Sequence, residues 1–304
     1  MDAVEPSSSF SRSMLNLWIG LCQGCSGLPQ DIFLLGFRPI CIERPFRNHE
    51  SDLVHPELVI ASADCGHAVS FEWKSGRNLV DDQLRRYQGI APADLRQAYI
   101  RPEESITHEV VVIGKEAYSE TLLLGLAAGP YEFALLVVTD EGLTLIANDF
   151  AKAELSALFK PTYKLNWDYL PTEFIRIVGD SPDWEIAEAI IPAMLVRVLK
   201  GQPRFTVNDL CRDVSEFWNI LGDPGRAEAE GRVRDVLRLG IDGQLGGFVV
   251  LNNQTVLPNT ALRSADAKKR SEAQRGLRSA HARFIDALRE GRQQMALFPA
   301  SALE

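Results

Sequence analysis

Apolar and polar positions change rhythm along this chain, and the changes predict its elements. Residues 13–21 are apolar almost throughout, with Asn16 the polar exception in MLNLWIGL, and read as a buried helix. A Gly/Pro turn region and a strand over 39–43 follow. Residues 58–63 and 68–74 are β-prone runs on either side of DCGH, the pattern of a hairpin. Residues 79–89 have helical spacing, with Leu79, Leu84 and Tyr87 facing inward. EVVVIG (109–114) is a buried type of strand and AYSETLLLGLA (117–127) a helix. EFALLVVTDEGLTLIAND pairs two strands around Asp140-Glu141-Gly142. The order β-β-β-α-β-α-β-β predicts a mixed α/β domain over residues 1–150. Within it, residues 1–9 with their SSS run read as disordered.

Beyond 150 the pattern weakens. Residues 151–182 contain Pro161, Pro171 and Pro182 and read as a connector. Amphipathic helices are expected over 184–199, over 206–215 with Thr206 as its cap, and over 226–239. GFVVLNNQTVLP (247–258) then reads as a hairpin turning at Asn252-Asn253. Three helices and a hairpin predict a mainly α, winged-helix-like domain over 183–262. A basic helical tail over 263–304 follows, with one long polar helix at 264–294.

Composition narrows the class. The 304 residues are 46% apolar and 24% charged, ordinary for a soluble protein. No apolar run approaches the ~18–20 residues of a membrane helix, so no membrane partner is expected. Five scattered cysteines, including Cys22 and Cys25 in a C-x-x-C pair, make no disulfide framework and point to a reducing cytoplasm. The five histidines show no paired metal spacing. There is no G-x-x-x-x-G-K-[ST] loop and no G-x-S-x-G elbow. The net charge of −9 opposes indiscriminate nucleic-acid binding, yet residues 263–294 hold nine Lys/Arg against four Asp/Glu. A basic tail on an acidic body is compatible with a local polyanion contact.

The chemistry concentrates around FEWKSG. Glu72 and Lys74, two apart, share one face of a strand. With the turn centred between Cys65 and Gly66, Glu57 falls opposite Lys74 and Val59 opposite Glu72. Glu57, Glu72 and Lys74 then crowd one patch at the open end of the hairpin. Two carboxylates beside a lysine suit a hard divalent cation such as Mg²⁺ or Mn²⁺, to which the Trp73 carbonyl can add a ligand. The plainer reading is an exposed cross-strand ion pair. Arg77, Arg85 and Arg86 suit phosphate contacts or a solvated helix face. Arg232 and Arg234 on the third C-terminal helix suit DNA contact or plain packing among Glu228, Glu230 and Asp235.

Pro56-Glu57, fourteen intervening residues, Glu72-Trp73-Lys74 and then Gln83-Leu84-Arg85-Arg86-Tyr87 resemble the PD-(D/E)XK nuclease signature, with the Q-x-x-x-Y motif of its RecB-type branch. The resemblance covers roughly the N-terminal half. It implies a restriction-endonuclease-like sheet flanked by helices and a Mg²⁺-dependent nuclease acting on DNA, in restriction, defence or repair. Partner subunits or a homodimer would suit such a chain. By the same resemblance Glu57 and Glu72 hold the metal and Lys74 is the catalytic lysine. Gln83 and Tyr87 line the site. Glutamate stands here where the family has aspartate, and Glu43, Glu50 and His55 compete for an upstream acidic role. The alternative is a non-catalytic adaptor that retains the scaffold and binds DNA or protein.

Overall fold

The computed structural model describes residues 10–98, 106–171, 174–178 and 181–297, so the stretch 1–9 and the end of the tail lie outside the described residues. The chain forms two compact units. One comprises Phe10–Phe174 with Ile220–Gly225, the other Ile175–Asn219 and the residues from Arg226 onward. No helix among the described residues is long and apolar enough to cross a membrane.

In the first unit, α1 (Phe10–Gln23) and α2 (Asp31–Leu34) precede β1 (Arg38–Ile42). A short ribbon, β2 (Phe46–Arg47) with β3 (Leu53–Val54), leads into the hairpin β4 (Leu58–Ser62) and β5 (His67–Lys74). Next come α3 (Asp81–Gln88), α4 (Pro92–Ala98), β6 (Thr107–Lys115), α5 (Ser119–Ala127), β7 (Ala134–Thr139) and β8 (Gly142–Ala147). Seven strands, the last being β9 (Tyr163–Lys164), form one mixed sheet in the order β1-β4-β5-β6-β7-β8-β9. Its centre, β5-β6-β7, is parallel, and the flanking pairs are antiparallel.

Both faces of the sheet are covered, which is why β5 and β6 read as near-continuous apolar runs. Ala68 of β5 and Val110 and Val112 of β6 pack with Leu84 and Tyr87 of α3 and Leu122 and Leu126 of α5. On the other face Phe71 meets the Trp18 ring of the buried helix α1, with centroids 4.2 Å apart. Helix α3 needs no side-chain cap. Asp81 and Asp82 in its first turn and Arg85 and Arg86 in its last complement the helix dipole.

Two expectations change. The stretch 151–182 carries α6 (Ala153–Leu158) and β9 (Tyr163–Lys164), and β9 closes the sheet by pairing with β8. The hairpin register also differs from the expected one. Leu58 pairs with Phe71 and Val59 with Ser70, not with Glu72. The ladder continues to Ser62↔His67, so the turn is centred one residue earlier. The pairing shifts by two residues, and a shift of two preserves the face that each side chain occupies. Glu57 lies just before the ladder, and its N–H donates to the carbonyl of Phe71, the residue that pairs with Leu58.

The second unit holds α7 (Asp183–Leu199), β10 (Phe205–Thr206) and α8 (Val207–Val214), with α9 (Asp223–Gly240) beginning in the first unit and running into it. Strands β11 (Val249–Asn252) and β12 (Thr255–Pro258) follow, and then α10 (Ala267–Leu297). Thr206 and Asp209 form a reciprocal capping box at the start of α8. The three strands are ordered β10-β12-β11. Asn253, in the left-handed region (φ 53°), makes the tight turn between β11 and β12. The basic helix α10 belongs to this same unit, because Leu277, Ala280 and Phe284 form a buried stripe along it.

Candidate functional site

The centre of the site is Glu72, which is 3% exposed near the C-terminal end of β5. Its Oε1 lies 2.7 Å from Lys74 Nζ, on the same strand face. Gln83 of α3 bridges the two. Lys74 Nζ donates to Gln83 Oε1 at 2.9 Å, and Gln83 Nε2 donates to Glu72 Oε1 at 2.9 Å. An ammonium only donates and a carboxylate only accepts, so this orientation of the amide satisfies both neighbours. Gln83 and Tyr87 occur one turn apart on α3, and Tyr87 occupies the other carboxylate oxygen. Its hydroxyl lies 2.7 Å from Glu72 Oε2 and 2.7 Å from the His55 carbonyl. One hydroxyl proton therefore serves two acceptors, tying Glu72 to the segment that leads into Glu57.

Burial, and then the charge of Glu72, hold the Tyr87 hydroxyl well above the ordinary tyrosine range, with Glu57 acting in the same direction. Tyr87 stays protonated and remains a donor. Glu57 itself is half-buried, just before β4, and its backbone N–H donates to the Phe71 carbonyl at 3.1 Å.

That last bond fixes a direction. The Phe71 carbonyl points toward β4, so the Trp73 carbonyl, two residues on, points to the same side. It does so beyond the last ladder pair, level with Pro56, which has no N–H to donate. Glu72 and the Trp73 carbonyl therefore lie where the β4–β5 ladder stops, with Glu57 on the residue before β4. Among the described residues no three His, Cys, Asp or Glu side chains form a ready metal group. Mg²⁺ needs only one or two protein carboxylates, with water and substrate oxygens completing its shell, so this donor set fits it.

The upstream candidates do not join the cluster. The Glu43 carboxylate fills the space beside Gly225, where a β-carbon would collide with it. Glu50 is exposed beside His49, and His55 contributes its carbonyl. Asp64 sits at the opposite end of the hairpin against Gly36.

The arginines divide into two groups. Arg85 is paired with Asp81 (3.2 Å) and Asp82 (3.8 Å), and Arg86 with Asp82 (3.4 Å). Arg232 donates to the Ser181 carbonyl and to Asp183 at 2.7 Å, inside the second unit. Arg234 lies on the same helix, half-buried. Arg77 is exposed and sits over the Tyr118 ring at 5.7 Å, with no carboxylate in ion-pair reach among the described residues. Three contacts were not legible in sequence: the His55 carbonyl on Tyr87, Tyr118 under Arg77, and the Tyr131 hydroxyl on Asp81 at 2.5 Å. Each joins residues distant in the chain and leaves no spacing signal.

Fold and site together define a mixed α/β protein with a charged, hydrogen-bonded cluster at the end of its central parallel strands. The MJECL32 domain family model matches residues 11–175, more than half of the chain and nearly all of the first unit, and the chain belongs to that family. Neither the curated proteins nor the solved structures contain a match to it.

Proposed function

We propose that this protein is a metal-dependent nuclease that hydrolyses phosphodiester bonds, with DNA as the favoured substrate, and that Glu57, Glu72 and Lys74 are its active-site residues. The observation that carries this reading is the shared contact of Lys74, Gln83 and Tyr87 on the two oxygens of Glu72. It joins the motif residues E-x-K and Q-x-x-x-Y of the PD-(D/E)XK pattern, with the P-E pair on the residues just before β4. The parallel β5-β6-β7 centre with helices on both faces supports a restriction-endonuclease-like arrangement. The strand order β10-β12-β11 around α8 and α9 supports a winged-helix-like second unit that engages DNA or a partner.

Glu57, Glu72 and the Trp73 carbonyl would hold Mg²⁺ or Mn²⁺. The ion supplies Lewis acidity and a bound water of lowered pKa. Lys74 places its ammonium where negative charge grows on the phosphate. Gln83 keeps Lys74 and Glu72 in register, and Tyr87 fixes the Glu72 carboxylate. A cytoplasmic role in restriction, defence or repair, with partner subunits or as a homodimer, accords with this chemistry. A second reading, a non-catalytic adaptor, draws support from the internal pairing of Arg85, Arg86 and Arg232, which leaves fewer free cations for nucleic acid.

Incubating DNA and RNA substrates with the wild type, Glu72→Ala and Lys74→Ala in Mg²⁺, Mn²⁺ or EDTA tests the proposal. Metal-dependent cutting lost in both variants is expected. Cutting by the variants at the wild-type rate would mean that the site is wrongly placed. No cutting of any substrate by the wild type would favour the adaptor.

A further inference from the structure

The loop joining Lys74 to α3 lines a cleft of about 350 Å³, which this loop forms together with one side of α5. Arg77 and Asn78 come from the loop and Thr121 from α5. All three are exposed and polar. Gly125 keeps the wall thin, since a β-carbon there would meet Leu79 Cδ1 at 2.9 Å. Leu84, the residue after Gln83, and Asp81, whose carboxylate accepts the Tyr131 hydroxyl, complete its lining, and Arg77 follows Lys74 by three residues in the chain.

The cleft has the size of a small-molecule site. One nucleotide fits such a space, whereas stacked base pairs do not. Its cation is also distinctive. Arg85 and Arg86 are neutralised by Asp81 and Asp82, while Arg77 has no carboxylate partner among the described residues and is backed by the Tyr118 ring. A guanidinium plane held from behind by an aromatic ring can bind a phosphate with its edge or stack on a base with its open face. Asn78 and Thr121 add donors and acceptors for a base edge. Long duplex tracks require many uncompensated cations, and among the described residues Arg85 and Arg86 of α3 are already paired.

We propose that this cleft is a nucleotide subsite, and that the protein engages single-stranded or locally unpaired nucleic acid, one residue of which seats here beside the scissile phosphodiester. Arg77 contacts that residue directly. Tyr118 acts as a positioning residue through Arg77. The inference rests on the nuclease reading of the Glu72–Lys74 cluster and adds its substrate class.

The test measures binding apart from cutting. Fluorescence anisotropy of a labelled single-stranded DNA oligonucleotide, and of the same sequence as a duplex, is recorded in EDTA, and cleavage of both is then measured in Mg²⁺ or Mn²⁺. Arg77→Ala should weaken single-strand binding about tenfold and lower the slope of log K against log salt by about 0.7. Thr121→Trp, which fills the cleft from an exposed position, should weaken binding by a similar factor. Tyr118→Leu should lose part of the affinity and Tyr118→Phe should restore it. Lys74→Ala should bind without cutting. Thermal melts of the exposed-site variants identify any misfolded protein. Equal binding of duplex and single strand, or wild-type binding and cutting by Arg77→Ala and Thr121→Trp, overturns the subsite and leaves the nuclease reading standing as long as Lys74→Ala is inactive. A wild type that cuts nothing overturns both.

Discussion

Strand β5 carries a polar cluster at each end, and the two differ in what closes over them. At the start, His67 is fully buried between β4 and β6. Its Nδ1 lies 2.7 Å from Thr107 Oγ1 and its Nε2 2.5 Å from Glu109 Oε1. The second Glu109 oxygen accepts the Ala151 N–H at 2.9 Å, and Phe37 packs edge-on against the imidazole. At the far end β4 has run out. Glu72 is nearly as buried, Lys74 is exposed to the same small degree as Glu109, and Gln83 and Glu57 are half-buried at the edge of the ladder. A buried polar cluster with every atom matched is architecture. The same chemistry at the edge of the ladder retains atoms that a ligand can use.

If this contrast is right, the two ends respond differently to substitution. The largest effect is expected at the open end. Glu72→Gln or Lys74→Ala should lower cleavage by about 10²–10³-fold while circular dichroism stays that of the wild type. At the closed end the response should be one of stability. His67→Ala leaves Thr107 and Glu109 without partners and opens a cavity, so urea unfolding should show a loss of about 2–4 kcal/mol. The activity of the folded fraction should not change.

His108 is the second residue of β6, and its Nε2 lies 2.9 Å from Ser70 Oγ in the middle of β5. Burial pushes its pKa down to about 4. Its folded value lies below the unfolded one of about 6.5, so its contribution is complete above pH 6.5 and is lost as the pH falls toward 4. That acid limb should amount to about 3 kcal/mol and should flatten in His108→Gln, as measured by urea unfolding across this range. Tyr87→Phe should cost about 1–2 kcal/mol, because Glu72 and the His55 carbonyl lose a shared donor, and should lower cleavage more modestly than Lys74→Ala. The smallest effect is expected at Arg85, whose pairs with Asp81 and Asp82 are exposed. Arg85→Ala should leave the urea midpoint at the wild-type value.

The long strands and helices of the first unit were legible because both sheet faces are buried and the apolar runs are correspondingly continuous, whereas the short α2, β2, β3, α4 and α6 carry too few residues to show a period. The site residues were legible for a related reason. Glu72, Lys74, Gln83 and Tyr87 lie on two adjacent elements with fixed periods, so spacing determines their faces. The hairpin register was not legible, since turn placement within ADCGH depends on Gly66 at φ 57° and on the Cys65 amide bond to Ser62 Oγ. The two-residue error left the faces of the ladder residues intact, while Glu57 lies outside the ladder and bonds through its backbone to Phe71. The sheet's last strand was missed because β9 is two residues long and lies between prolines. The buried stripe of α10 was masked by the basic residues that surround Leu277, Ala280 and Phe284.

The most direct test sets the two ends of β5 against each other in one assay. Mg²⁺-dependent cleavage by the wild type, Lys74→Ala and His67→Ala is measured side by side, at a temperature where all three are folded. The account predicts metal-dependent cutting by the wild type and His67→Ala and a loss of about 10²-fold or more in Lys74→Ala. Cutting by Lys74→Ala at the wild-type rate would contradict it.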